Sequence, residues 1–195
     1  MNVYVLDTTP ERAAQYHGDV HVVSQLKEAA QILSAACSLL GIWHDGLYRP
    51  SHLKHPCCIW AARSVANAEW LLHLAFSLNQ EYIRRRQFRG RDAVDHASLD
   101  IAVRCWETLI AKKNEKHLPK RVRMTPFAQA VPSVYRCDDA VRAYRSYYKA
   151  EKSVLKNSQG KLVPVEWSTR GPPPWWGEEP VVCDPDDIFM DDTGW

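Results

Sequence analysis

From Val22 to Leu40 apolar side chains return every three or four residues: Val22, Val23, Leu26, Ala29, Ala30, Leu33, Ala36, Cys37 and Leu40. A helix gathers such a series on one face, and a core opposite that face stabilises it. The spacing predicts a helix over about 19–40, stopped by Gly41. A second series, Trp60, Asn67, Trp70, Leu71, Leu74, Leu78 and Tyr82, predicts one long helix over about 57–86, with Pro56 suited to its first turn. Further helices are expected over about 93–113 and from Asp138 or Asp139 to about 156. Thr9 before Pro10 marks one more helix start. The run VYVLD at residues 3–7 reads as a short strand or an extended arm. Between the helices, Pro, Gly and His gather in loops. The fold expected is all-α, a single domain of four to five helices over residues 1–158. Residues 159–195 then form a Pro- and Trp-rich arm and an acidic tail.

The formal net charge of +2 conceals an asymmetry. Residues 178–195 hold seven acids and no Lys or Arg. Removing those seven from 23 leaves 16 acids against 25 basic residues, an excess of nine on the body. A basic body suits a polyanionic partner, although a solvated surface carries charge as well. The acidic tail, with Ile188, Phe189, Met190 and Trp195, suits a protein partner or folds back on the basic body. No apolar run approaches the roughly 20 residues of a membrane span. No signal peptide opens the chain, so an intracellular, membrane-free setting is expected. Six cysteines without a CxxC pair read as reduced, mostly buried thiols. His52 and His55 near Cys57 lack the second ligand pair of a structural zinc site. No metal or cofactor is expected.

Three constellations carry potential chemistry. Arg142, Arg145, Lys149, Lys152 and Lys156 form a basic stripe on the last helix, beside Tyr144, Tyr147 and Tyr148. Cations interleaved with aromatics can hold phosphates and stack on bases. RRRQFRGR at residues 84–91 (Arg84, Arg85, Arg86, Arg89 and Arg91) exceeds what capping a helix dipole needs and suits phosphate contact. Asp19, His21 and Glu28 lie on the first long helix. A partly buried Glu28 serves as general acid or base; a cation-paired Glu28 stays ionised. On the plainer alternative Asp19 caps the helix, His21 is satisfied internally and Glu28 is solvated. Asn67 on an apolar stripe needs a buried partner or reads a base edge. Gln129, between two prolines in TPFAQAVP, suits ligand recognition or packing.

GDVHVVSQLKE, residues 18–28, resembles the active-site segment of the phage pyrimidine-dimer DNA glycosylases of the endonuclease V type. On that match Asp19, His21, Lys27 and Glu28 take the positions of an Asp-x-His, a basic residue and the catalytic Glu. LDTTPERAAQYHGDVHVV, AAQILSAA, SHLKHPC, NAEWL, TPFAQAVP and DAVRAYRSYYKAEK extend the resemblance to a wider family of small phage proteins over about residues 3–155. The resemblance implies DNA base metabolism, and one branch is the amino-acid:DNA transferases of thymine hypermodification. These replace pyrophosphate on 5-pyrophosphoryloxymethyluracil with an amino acid such as glycine. It further implies double-stranded DNA and a free amino acid as partners, in the cytoplasm of an infected bacterial host. Trp60, Trp70 or a tyrosine would then stack on a flipped base, Arg63 would fork onto the amino-acid carboxylate, and Asn67 and Gln129 would line the substrate. Arg84, Arg85, Arg86, Arg142, Arg145, Lys149 and Lys152 would hold phosphates. The repair glycosylases use the free amine of a small second residue. Asn2 stands there in this chain, which predicts a retained Met1. The alternatives are a pyrimidine-specific N-glycosylase and a DNA-binding accessory protein without enzymatic activity.

Overall fold

A computed structural model of the chain describes residues 1–112, 123–156 and 159–179. The fold is all-α in character. Six helices stand among the described residues: α1 (Pro10–Tyr16), α2 (Asp19–Leu39), α3 (Pro56–Arg63), α4 (Val65–Phe88), α5 (Ala97–Ala111) and α6 (Ala140–Lys152). One antiparallel hairpin follows, β1 (Val154–Lys156) against β2 (Leu162–Pro164), with Leu155 opposite Val163. α2 is the central helix, packed against α3, α4 and α5, while α1 lies on α4. Its alanines Ala29, Ala30, Ala35 and Ala36 are buried, and small side chains let the neighbouring axes approach closely. Leu26, Ile32, Leu71, Leu74 and Leu78 fill the interior between them. No helix among the described residues is long and apolar enough to cross a membrane.

Several elements differ from the sequence expectation. The single helix expected over 57–86 is two helices broken at Ser64, whose backbone is extended (φ −150°, ψ 140°). Ser64 Oγ accepts the Ala66 amide at 3.2 Å and donates to the Arg123 carbonyl at 2.8 Å. Its side chain thus caps a new helix in place of continuing the old one. The helix expected over 93–113 begins only at Ala97, where His96 Nδ1 accepts the Ser98 amide; residue 113 lies outside the described residues. The last helix starts as expected, capped by Asp139, but stops at Lys152. Residues 154–156 pair as a strand instead, turned back through Gly160 at φ +76°.

VYVLD is an extended arm without a ladder partner, yet Val3, Val5 and Leu6 are buried. Residues 165–179, expected as an arm or disordered tail, pack onto the helices. Val165 and Trp175 are buried there, and Trp167 Nε1 donates to the Tyr16 carbonyl at 2.9 Å. A boundary at residue 158 would cut the hairpin. Cys37, Cys57, Cys58, Cys105 and Cys137 are free and buried; Cys183 and the acidic residues 184–192 lie outside the described residues.

Candidate active site

At about 100° per residue, His21, Gln25 and Glu28 share one face of α2, and Asp19 lies half a turn away. The Glu28 side chain is 24% exposed. Its Oε2 accepts the Asn2 amide at 2.6 Å and the Gln25 side-chain amide at 3.1 Å, with the Met1 amine 4.0 Å off. Buried Gln25 turns its Oε1 to the Tyr4 amide at 3.0 Å, so one side chain holds both the carboxylate and the N-terminal arm. Asn2 secures the same arm further. Its Nδ2 donates to the Ala130 carbonyl at 2.8 Å, and its Oδ1 lies 3.1 Å from the Tyr144 hydroxyl and 3.5 Å from Cys57 Sγ. Burial pushes the Cys57 thiol up to about 11, so it stays protonated and non-nucleophilic at neutral pH. Among the described residues Glu28 is held by amides and an amine, whereas the buried carboxylates Asp19 and Glu81 are held by guanidiniums. It has an acceptor's geometry for an incoming N–H and no arginine competing for it.

His21 and Asp19 serve other partners. The Tyr148 hydroxyl accepts the Gly18 amide at 2.9 Å and meets His21 Nδ1. A hydroxyl donating to Nδ1 leaves the imidazole proton on Nε2. Burial first, then the charge of Lys152, lowers the His21 pKa to about 4, so the ring is neutral. It stands about 10 Å along the axis from Glu28, two helical turns away, out of hydrogen-bond reach. Lys27 is exposed, and its charge is felt at His96. Asp19 is 7% exposed and receives Arg85 at 3.1 Å, Arg89 at 2.6 Å and the Ser168 amide at 3.1 Å. The catalytic quartet expected from the sequence is therefore dispersed over four environments.

Arg85 likewise belongs to the interior. It is 5% exposed, donates to the His17 carbonyl at 2.8 Å, and pairs with Glu81 at 3.4 Å. Glu81 is shared with Arg84 at 3.7 Å and with Arg170 of the C-terminal arm at 3.0 Å. Burial lowers the Arg85 pKa against the opposing pull of Asp19 and Glu81. Arg86 donates to the Asp92 carbonyl at 2.8 Å and lies over the Tyr82 ring.

The basic stripe on α6 is mostly engaged inside the molecule. Arg142 pairs with Asp138 at 2.6 Å. Arg145 donates to the Leu6 carbonyl at 2.8 Å, meets Asp7 at 3.3 Å, and lies 5.2 Å from the Trp175 ring centre. Lys149 donates to the carbonyls of Glu178 and Glu179 at 2.8 and 3.2 Å. Lys152 lies over Tyr147. Tyr144 and Tyr148, read as base-stacking candidates, are fully buried. The stripe is thus a seam that joins residues 6–7 to residues 175–179.

Four of the expected substrate contacts, Asn67, Trp60, Trp70 and Gln129, are engaged within the fold. Asn67 is fully buried; Nδ2 donates to the Trp60 carbonyl at 2.7 Å and Thr125 Oγ1 at 2.8 Å, and Oδ1 accepts the Thr125 amide at 2.9 Å. Trp60 and Trp70 are buried against Phe127, and Trp70 Nε1 donates to the Thr8 carbonyl. Gln129 exchanges two hydrogen bonds with the Cys137 backbone. Arg63 is exposed in the last turn of α3. Sequence reasoning missed Gln25 and Glu81; it read Asn2 only as the residue that retains Met1 and Arg89 only as a phosphate contact, not as partners of Glu28 and Asp19. Gln25 three residues before Glu28, and Glu81 four before Arg85, are helix neighbours that spacing alone makes visible. Compared with known proteins, the chain matches no family model, no curated sequence and no solved structure.

Proposed function

We propose that this protein modifies a pyrimidine base in duplex DNA, as an amino-acid:DNA transferase that replaces the pyrophosphate of 5-pyrophosphoryloxymethyluracil, with Glu28 as proton acceptor. The observation that carries the reading is the Glu28 carboxylate, partly buried, free of arginine partners among the described residues and already held by N–H donors. A transferase of this kind needs such a group beside its amine. The amine nitrogen bonds to the exocyclic methylene carbon, the carbon–oxygen bond to pyrophosphate breaks, and the ammonium proton passes to Glu28. The base must leave the stack for this. The reading carries with it duplex DNA and an amino acid such as glycine as partners, and the cytoplasm of an infected bacterial host as the setting. It makes no use of His21, Asn67, Trp60, Trp70 or Gln129 as substrate contacts, since each is satisfied or packed within the fold.

One observation favours a second reading, an N-glycosylase. The Met1 amine stands 4.0 Å from Glu28, where an amine attacking a sugar carbon would be paired with an acid.

Nucleoside mass spectrometry separates the two. The protein is incubated with amino acids and duplex DNA that contains either 5-pyrophosphoryloxymethyluracil or a pyrimidine dimer. A nucleoside heavier by one amino acid, lost in Glu28→Gln, is expected. Abasic sites in its place establish the glycosylase. Unaltered DNA from both duplexes rejects both readings.

A further inference from the structure

The C-terminal end of α4 crowds cations beyond what its carboxylates balance. Arg84, Arg85, Arg89 and Arg170 share two carboxylates, Asp19 and Glu81. Arg86 is held by a backbone carbonyl and a tyrosine hydroxyl. The Arg91 guanidinium meets no partner among the described residues. Asp19, Tyr82, Arg85, Arg86, Arg89 and Arg91 border one cavity of about 120 Å³. Arg85, although 5% exposed, has Nε and Nη1 without a hydrogen-bond acceptor; Nη1 touches Asp19 as an ion pair alone. An unsatisfied buried guanidinium N–H is costly unless something accepts it.

We propose that this cavity is a phosphoryl-binding site. Four guanidiniums bordering one cavity need an acceptor with several oxygens and more than one negative charge, which a phosphoryl group supplies. Guanidinium forks fit such oxyanions bidentately. Asp19 is spent on Arg85, Arg89 and Ser168, and so orients the cations without filling the cavity. Val22 and Val23 of α2 form an apolar wall that thins the water around the charges and strengthens their attraction. The site lies half a turn around α2 from Glu28 and about 13 Å along it, so its ligand is not the reacting group. The phosphoryl group belongs to a nucleic-acid backbone or to a separate phosphorylated compound. The inference deepens the proposed function only in the first case; the site itself stands on the cavity and its arginines.

The test follows arginine Nε–H resonances of ¹⁵N-labelled protein during titration with inorganic phosphate, against chloride at matched ionic strength. A subset shifts saturably with phosphate and not with chloride. Arg91→Gln, which breaks no internal bond, raises the phosphate dissociation constant about tenfold, the loss of one charge-assisted contact. Arg49→Gln, an exposed cation in the loop after α2 and outside the cavity lining, leaves it unchanged. Equal shifts with chloride, or Arg91→Gln binding like the parent, overturn the site. A short duplex is then added to the phosphate-saturated protein. Displacement of phosphate identifies the nucleic-acid backbone as its source. A duplex that binds without displacing phosphate assigns the cavity to a separate phosphorylated compound. Phosphate binding with no duplex binding keeps the site and rejects the DNA reading of the protein.

Discussion

Asn67 shows what a single buried amide can hold. Its removal in Asn67→Ala strands the Trp60 carbonyl, the Thr125 amide and the Thr125 hydroxyl. We expect a loss of about 2–4 kcal/mol in urea unfolding, because unpaired buried polar groups cost more than the bonds themselves contribute. A loss under about 0.5 kcal/mol would show that water reaches the site. Arg85→Met should cost about 3–5 kcal/mol, since Asp19 and Glu81 are left buried with less compensation. Arg85→Lys should recover little, because one ammonium cannot reach two carboxylates and the His17 carbonyl as a guanidinium fork does. A variant as stable as the parent in either case refutes the interior role. The need of Asn67 for a partner was legible from its place on an apolar stripe. The roles of Asn2 and Arg145 were not, because their partners lie 128 and 139 positions away and no local pattern announces them.

The elements were readable where periodicity ruled and unreadable where a side chain or a distant segment intervened. α2 follows its apolar spacing to within a residue. The break at Ser64 escaped because a serine in an apolar run looks tolerable until its hydroxyl finds Arg123. The cationic stripe of α6 was visible, but not that Asp138, Asp7 and the carbonyls of Leu6, Glu178 and Glu179 engage it. Residues 165–179 lack helical period and so read as a tail, although Glu166 accepts the Asp19 amide at 2.8 Å. The closeness of that segment gives a direct prediction at Gly18. A Cβ there would sit 2.1 Å from Val165 Cγ2 and 3.3 Å from the Glu166 carbonyl. Gly18→Ala should therefore destabilise by about 1–3 kcal/mol. Adding Val165→Ala should restore part of that loss, a coupling measured by a double-mutant cycle. Strict additivity would mean that the arm does not press on α2.

Across the whole molecule, two buried imidazoles set an acid limit. Burial lowers the His17 pKa to about 3 and the His21 pKa to about 4, with 6.5 the ordinary value. Between those values the unfolded chain takes up protons that the folded one refuses, so stability falls as pH drops below about 6.5. Above that pH the two groups add no dependence. The slope should approach two protons, about 2.7 kcal/mol per pH unit, between about pH 5.5 and 5, and fall toward one proton as His21 titrates near pH 4. Urea midpoints taken across that range check it; a flat series would place both rings in water. The seam along α6 has a consequence of another kind, in time. Tyr144 meets Asn2, Arg145 meets Leu6, and Trp167 meets Tyr16, contacts that span 142, 139 and 151 positions. Helical proteins fold fast when their contacts are local, and these are not. On a ribosome, the helices can form as they emerge and α2 offers Gln25 and Glu28 to the first residues, but Asn2, Leu6 and Asp7 wait for α6 before their remaining partners Tyr144 and Arg145 exist.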